Sequence, residues 1–325
     1  NSILELVEGE EIWHPCLWSK SVVVPSGDFM LDLDSAGAYI TSDFVDAQAR
    51  YRVKMGKFWH QKDTIEIYLT GSSRMEAGVN PDLYPEWKML NMGVSGIDPQ
   101  REFYFVHNYA FNHAKKLKAV VFSLDIDAWR GVEDHLELLF DKGPGYIYDA
   151  NHNFWVDFLP ENFIEAMEDS YPAPDAVIHL YSERGRLDRP SMAWCSMGCN
   201  VKNDSVLTQK QKDYFDKVLE DFSALVDEAA SKNIQVIGII FPSAPAYKYT
   251  GAFGPYGLQR SMAKETIDWF KDLSKKKPNF HFVDENKMGE HDYTDEMAMD
   301  SDHLSYIGAK KMTESLNDVL KNIFK

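Results

Sequence analysis

The feature that most constrains the fold is an alternation of short apolar runs with amphipathic helical segments, which begins near residue 64. Continuous apolar strands alternating with helices are typical of a parallel sheet covered on both faces. The pattern therefore predicts an α/β fold, a three-layer α/β/α doubly wound parallel sheet with five strands. The five runs are TIEIYLT at 64–70, WKMLNM at 87–92, KAVVFSLDI at 118–126, NIQVIGIIF at 233–241 and FHFVDE at 280–285.

Helix-start signals stand between or after these runs. Asp98 followed by Pro99 fits an N-cap and first helical position, and apolar residues follow at helical spacing. Thr208 and Gln211 form a capping-box pattern ahead of a long amphipathic segment. Ser305 opens a final helix that runs to the end of the chain.

Residues 1–62 lack this alternation, because their apolar runs are broken by Pro, Gly and Asp, with a helix-like stretch at 41–59. They are predicted to form an N-terminal extension that packs on the core or is the tail of an upstream module. Residues 63–325 are predicted to form the main domain. Two aromatic-rich segments, at about 129–176 and 182–206, are too long for ordinary connections and are expected to build the rim of a site.

The net charge and the hydropathy of the sequence limit the classes of partner that the protein is expected to bind. The 325 residues include 34 basic and 51 acidic side chains, a net charge of −17, which disfavours nucleic acid and anionic membranes. No apolar run reaches 18 residues, so no membrane span is predicted. A neutral small-molecule or polysaccharide ester fits this charge, and no cofactor or metal is implied by the side-chain spacings.

Three cysteines are too few for a disulfide framework and are not grouped as in a zinc site. Cys195 and Cys199 would pair in an oxidising compartment, or remain buried free thiols.

The first apolar run ends abruptly in Gly-Ser-Ser-Arg at 71–74. Such residues end many strands by turn chemistry alone. The alternative is that the turn lifts a serine nucleophile to the carboxyl end of the sheet, where ligands bind in α/β folds. Ser73 is the favoured nucleophile and Ser72 its nearest rival.

The partners of such a serine follow two other strands. The second run ends in NMGVSG at 91–96, whose glycines allow backbone amides to be exposed. Near the end of the chain, Asp300 precedes His303 by three residues, which lets the carboxylate orient the imidazole as a general base. Asp302 and Asp295 are alternative orienting acids, and Asp300 is preferred.

These blocks, in this order, resemble the SGNH hydrolases, the GDSL-type esterase superfamily. The resemblance spans 64–325 and implies a flavodoxin-like sheet of order 2-1-3-4-5, Ser73 as nucleophile, and an oxyanion hole built from the amides of Ser73 and Gly96. The segment FPSAPAYKYTGAFGPYGLQRS at 241–261, with GSSR, also resembles a paralogous SGNH-like group described from cellulolytic Fibrobacter.

One block departs from the family pattern. Where the family carries an oxyanion-hole asparagine, this chain has LDIDAW, with Asp127 at or near that position. A carboxylate facing an oxyanion opposes catalysis, so Asp127 is expected to point away, to stay protonated or to bind something else. Asn91 or Arg74 could supply the missing donor.

Other side chains are candidates for substrate binding. Arg74 could clamp an acidic group of the substrate or pair with a local carboxylate such as Glu76. Aromatic side chains could stack on sugar rings, and about half of the candidates are expected to line the site. These are Trp155, Trp194, Tyr247, Tyr249, Phe253 and Tyr256.

The sequence thus predicts a serine esterase that hydrolyses small, acetyl-type esters, with carbohydrate as the expected acyl carrier. Transfer of the acyl group to a sugar or wall polymer, and a catalytically weak carbohydrate-binding module, are the alternatives. A secreted, periplasmic or cell-surface location follows from the family resemblance alone.

Overall fold

A computed structural model describes residues 54, 57, 58, 61–129, 182, 184–196, 198, 199 and 206–325. The chain divides into two compact units, residues 1–63 with 132–183, and residues 64–131 with 184–325. In the first unit only Lys54, Lys57, Phe58, residues 61–63 and Ser182 are described. The predicted extension, the insertion at 129–176 and Trp155 therefore lie almost wholly outside the described residues, and the domain boundaries stay predictions.

The second unit contains a five-stranded parallel sheet of order β2-β1-β3-β4-β5. This order confirms the predicted doubly wound, flavodoxin-like arrangement. All five predicted runs form strands. They are β1 Ile67–Thr70, β2 Met89–Asn91, β3 Ala119–Ser123, β4 Gln235–Ile240 and β5 Phe280–Asp284.

The main helices are α1 Ser73–Gly78, α2 Pro99–Phe105, α3 Gln209–Ser231, α4 Arg260–Lys276 and α5 Tyr306–Ile323. Helix α2 continues through a π-helical Val106–Ala110 and a short Phe111–His113. The predicted caps are confirmed: Asp98 accepts from two amides of α2, Thr208 and Gln211 form a reciprocal capping box, and Ser305 caps α5.

Alternate residues of each strand face opposite helix layers. On one face, Leu69, Val121 and Ile239 share a core with Met75 of α1 and with buried residues of α5. The other face is aromatic. There, the ring centroid of Phe222 lies 5.4 Å from those of both Phe122 and Phe280. Phe222 also contacts Phe270 of α4.

The parallel order brings the carboxyl ends of β1, β3 and β5 to one edge of the sheet. The turn after β1 requires glycine: Gly71 has φ +147°, and a Cβ there would lie 2.4 Å from Cβ of Ser123. Helix α1 can therefore start only three residues after β1 ends, which places Ser73 directly above the sheet edge. Within the described part of the chain, no helix combines the length and apolar character that a membrane span requires.

Candidate active site

Ser72 and Ser73 have different surroundings at the start of α1. Ser72 is the N-cap: its Oγ accepts from the Arg74 amide at 3.3 Å, and its own amide donates to Asp125 at 3.3 Å. Ser73 is the first residue of the helix, and its Oγ lies 2.7 Å from Nε2 of His303. The structure thus brings Ser73, and not Ser72, to the imidazole.

His303 links this serine to a carboxylate. Its Nδ1 lies 2.9 Å from both carboxylate oxygens of Asp300. Because an ionised carboxylate only accepts, Nδ1 carries the proton in neutral His303, which leaves Nε2 to accept the proton of Ser73. Two backbone amides, of Asp302 and of His303 itself, also donate to Asp300 at 3.0 and 2.9 Å.

The electrostatics of this pair favour an ionised acid beside a basic imidazole. Burial alone would raise the pKa of Asp300, but the bond and charge of His303, with the two amides, lower it to about 2. Burial would lower the pKa of His303, and the Asp300 bond together with the charges of Asp302 and Asp300 raise it above its usual value.

The two alternative acids lie elsewhere. An oxygen of Asp302 is 3.5 Å from Nδ1 of His303, farther than Asp300, and its other oxygen accepts from Arg74. Asp295 begins the 3₁₀ turn Asp295–Met297, and no hydrogen bond joins it to His303. Asp300 is therefore the side chain placed to orient the imidazole.

Arg74 lies at the centre of a buried ion-pair network. Its Nη1 and Nη2 donate to the two oxygens of Asp127 at 2.6 and 2.8 Å. Its Nε and Nη2 donate to Asp302 at 3.2 and 3.0 Å, and Nη1 donates to Asp125 at 3.3 Å. All five N–H groups of the guanidinium are used. Although burial opposes the charge, Asp127, Asp302 and Asp125 raise the pKa of Arg74 well above its usual value.

This network bears on the expectations for Arg74 and Asp127. Arg74 does not clamp a substrate acid, because three aspartates occupy its donors. It pairs with carboxylates, as the alternative had it, although Glu76, the example given, is not one of them. Asp127 is not an oxyanion-hole group, because both its oxygens accept from Arg74 and Gly254 packs against it, so that a Cβ on Gly254 would lie 2.4 Å from Oδ2. Both carboxylate oxygens are directed at Arg74, which fits the expectation that Asp127 binds something else.

Asn91 is also occupied. Its Nδ2 donates to the carbonyls of Met75, Glu76 and Val79 at 2.8, 3.4 and 3.2 Å, and its Oδ1 accepts from the Gly93 amide at 3.0 Å. This fully buried side chain ties the end of β2 to helix α1. It therefore does not supply the missing oxyanion donor.

Two backbone amides stay available as donors. Ser73 is the first helical residue, whose N–H has no acceptor within the helix. Gly96 has φ +78° in an exposed turn, and a Cβ there would meet no atom within 4 Å. No hydrogen bond from either amide to another described residue is found.

The aromatic candidates separate by burial. Tyr247 and Phe253 are core residues, so the expectation that they stack on sugar is wrong for both. Trp194 is half-buried, donates its indole N–H to the Tyr293 carbonyl at 3.0 Å and packs on the core. Tyr249 is 82% exposed and lies beside Lys248.

Tyr256 is the aromatic that lies nearest the network. The residue is 42% exposed, and the centroid of its ring is 5.8 Å from the guanidinium carbon of Arg74. Burial, with the charge of Asp302 as the next cause, raises its pKa to about 12, so the ring is neutral at physiological pH.

The sequence pattern did not identify Asp125, and it indicated Asp302 as an orienting acid for His303 and not as a partner of Arg74. Asp125 accepts from Ser123 Oγ at 2.7 Å as well as from the Ser72 amide and Arg74. The spacing of Ser123, Asp125 and Asp127 by two residues could have indicated a shared polar cluster, because alternate residues of an extended segment lie on the same face.

Asp300, Asp302 and His303 also form a group whose ligand atoms lie within 4.8 Å of one another. A metal ion there would have to displace the proton on Nδ1 that bonds Asp300. Separately, Cys195 and Cys199 are joined as a disulfide, with Cα atoms 4.6 Å apart.

No protein-family model matches the chain, and no curated protein matches it. Among solved structures, a candidate platelet activating factor from Streptococcus pneumonia is similar with a TM-score of 0.47 and 12% identity, covering 84% of this chain and 94% of its own. A candidate acylhydrolase from Bacteroides fragilis is similar with a TM-score of 0.45 and 11% identity, covering 84% and 98%. Neither likeness assigns an activity to this chain.

Proposed function

We propose that the protein is a serine esterase that hydrolyses small, acetyl-type esters on carbohydrate. The observation that carries the proposal is the chain of short contacts from Ser73 Oγ through His303 to Asp300, at 2.7 and 2.9 Å. A serine that donates to an imidazole whose other nitrogen is held by a carboxylate has the arrangement that acyl transfer requires.

In this mechanism, Ser73 Oγ attacks the acyl carbon while its proton passes to Nε2 of His303. The imidazolium is stabilised by Asp300, and the negative charge on the former carbonyl oxygen is bound by the amides of Ser73 and Gly96. Nε2 then protonates the leaving alcohol, which leaves an acyl group on Ser73. A water molecule, deprotonated by the same imidazole, releases the acid and restores the serine.

The carbohydrate part of the proposal is supported by the family resemblance and by Tyr256. Its half-exposed ring lies over the network that adjoins Ser73 and offers a face for a sugar. The Cys195–Cys199 disulfide fits an oxidising compartment, which agrees with action on an extracellular polymer.

One observation favours a second candidate, a catalytically weak carbohydrate-binding module. Arg74 holds Asp127 where the family has an oxyanion-hole asparagine. Loss of one such donor typically lowers the rate about a hundred- to a thousand-fold. The remaining amides would then have to provide the stabilisation of the oxyanion.

The test is incubation with a series of p-nitrophenyl esters, from acetate to octanoate, with and without an oligosaccharide acceptor. Release of free acid with a preference for acetate supports the proposal, and formation of acylated sugar identifies a transferase. If neither product forms even when the protein concentration is close to that of the ester, the binding module is indicated. Repeating the assay in EDTA tests whether a metal ion at Asp300, Asp302 and His303 takes part, because hydrolysis by Ser73, His303 and Asp300 alone is unchanged by the chelator.

A further inference from the structure

A cleft of about 520 Å³ lies outside the site described above. It is formed where the segment after α1 meets residues 186–190 and the start of α5. The amide of Tyr306 donates to the carbonyl of Arg189 at 2.9 Å, which fixes this segment against α5. The lining residues are Asn80, Leu83, Arg186, Asp188, Arg189, Pro190, Tyr306 and Lys310.

The charge of this cleft is opposite to that of the chain. Three of its lining residues are cationic and one is acidic, in a protein of net charge −17. The single carboxylate, Asp188, is already bound by Arg186. Within the part of the chain that the structure describes, Lys310 and Arg189 have no ion pair, whereas the neighbouring Lys311 binds Asp292 at 2.6 Å.

Arg189 carries the clearest sign of a missing partner. Its Nε is buried and has no hydrogen-bond acceptor among the described residues. A buried donor without an acceptor is destabilising, and more so when it belongs to a charged group. An anion in the cleft would supply that acceptor.

Arg186 is a further cation of this cleft. Burial lowers the pKa of Arg186, although Asp188 and Asp82 oppose this shift. The guanidinium remains charged at any physiological pH. Its positive charge therefore adds to those of Arg189 and Lys310 along the cleft.

The cleft also presents apolar surface. Tyr306 is 54% exposed and Leu83 is 39% exposed, and Pro190 is exposed beside them. Small-molecule sites typically combine such apolar walls with a few polar or charged groups that fix orientation. A ring-shaped ligand with one anionic group matches both features, because Tyr306 offers an exposed ring face and Arg189 and Lys310 are the cations beside it.

We infer that this cleft binds a carboxylate-bearing sugar, a uronate residue of an acidic saccharide, at a site separate from Ser73. The six-residue helix α1, roughly 9 Å long at 1.5 Å per residue, separates Ser73 from the segment that enters the cleft. The binding does not depend on the proposed esterase activity.

The experiment measures binding by isothermal titration in the Ser73→Ala variant, so that hydrolysis plays no part. The probes are tetragalacturonate, neutral cellotetraose and inorganic sulfate, at low and at high ionic strength. Arg189→Gln and Lys310→Gln test the cleft, and Lys210→Gln, on the exposed surface of α3, is the matched control.

Tetragalacturonate should bind with an affinity that falls as salt is added. Combining Arg189→Gln with Lys310→Gln should weaken it tenfold or more, while Lys210→Gln changes it less than twofold. No binding of tetragalacturonate, equal binding of cellotetraose, or tetragalacturonate binding unaffected by the cleft variants would each overturn the inference. Sulfate binding as tightly as tetragalacturonate would overturn the assignment to a saccharide. Ester turnover by the unmodified protein is measured separately, so the two proposals fail independently.

Discussion

Arg74 and Asp127 are joined by two parallel N–H···O bonds of 2.6 and 2.8 Å, which connect the turn carrying Ser73 to the segment after β3. The same guanidinium binds Asp302, the residue before His303. Arg74 therefore fixes the serine turn, the end of β3 and the histidine turn relative to one another. The carboxylate of Asp127 therefore serves a structural ion pair at this edge of the sheet.

Asp127→Asn should consequently lower stability and should not raise kcat. Removing one member of a buried ion pair leaves the other uncompensated, and the expected loss is up to about 3–5 kcal/mol in the free energy of unfolding. Urea titration measures the loss, and p-nitrophenyl acetate turnover measures kcat. Asp272→Asn, which removes an exposed partner of Lys275, is the control and should leave the urea midpoint nearly unchanged. A tenfold gain in kcat would contradict this account of Asp127.

Asn91→Ala should destabilise the protein through helix α1. The change leaves the buried carbonyls of Met75 and Val79 without their side-chain donor, at a cost of about 1–3 kcal/mol. The exposed Asn112 makes a similar bond to the Asn108 carbonyl, so Asn112→Ala is the matched control and should be nearly neutral. Equal urea midpoints for the two variants would show that Asn91 does not hold α1.

The fold could be predicted because its signals are local and repeated. Strand-length apolar runs and the caps at Asp98, Thr208 and Ser305 need no knowledge of distant partners. The places of Ser73, Asp300 and His303 after strands predict that they share one edge of the sheet, and their side chains are joined there by hydrogen bonds. Their chemical roles stay predictions.

What could not be predicted depends on contacts between distant parts of the chain. Arg74 meets Asp127 and Asp302 across 53 and 228 residues, and no spacing rule pairs them. Tyr247 and Tyr249 are the same type of residue and only two positions apart, yet Tyr247 is buried and Tyr249 is exposed. Burial of an aromatic ring is decided by tertiary packing, because such rings are common in both settings.

The pH dependence should follow His303. Catalysis needs the neutral imidazole, so kcat/KM should rise with pH and level off. Since burial, which lowers the pKa of His303, is outweighed by Asp300 and Asp302, the midpoint should lie above the ordinary value of 6.5. A profile that is flat from mildly acidic to alkaline pH would remove histidine as the base.

Asp302→Asn tests the source of that shift. Its negative charge stabilises the imidazolium, so its removal should move the midpoint of kcat/KM to lower pH. Asp295→Asn, a nearby acid that does not bond His303, should leave the midpoint in place. A midpoint that stays fixed or rises in Asp302→Asn would show that this charge does not act on His303.

Tyr256→Ala should affect carbohydrate esters selectively. If the half-exposed ring beside Arg74 carries a sugar, KM for an acetylated oligosaccharide should rise several-fold while KM for p-nitrophenyl acetate changes little. Tyr249→Ala removes a more exposed ring and serves as the control. Equal effects of the two variants on both substrates would argue against a sugar contact at Tyr256.

The central claim, that Ser73 is the nucleophile, is tested most directly by covalent labelling with a fluorophosphonate followed by mass spectrometry of the labelled peptide. Ser73 Oγ is bonded to His303, whereas Ser72 caps α1 through its hydroxyl. The account predicts a single adduct on Ser73, its loss in Ser73→Ala and in His303→Ala, and its retention in Ser72→Ala. An adduct on Ser72, or undiminished labelling of Ser73→Ala, would contradict it.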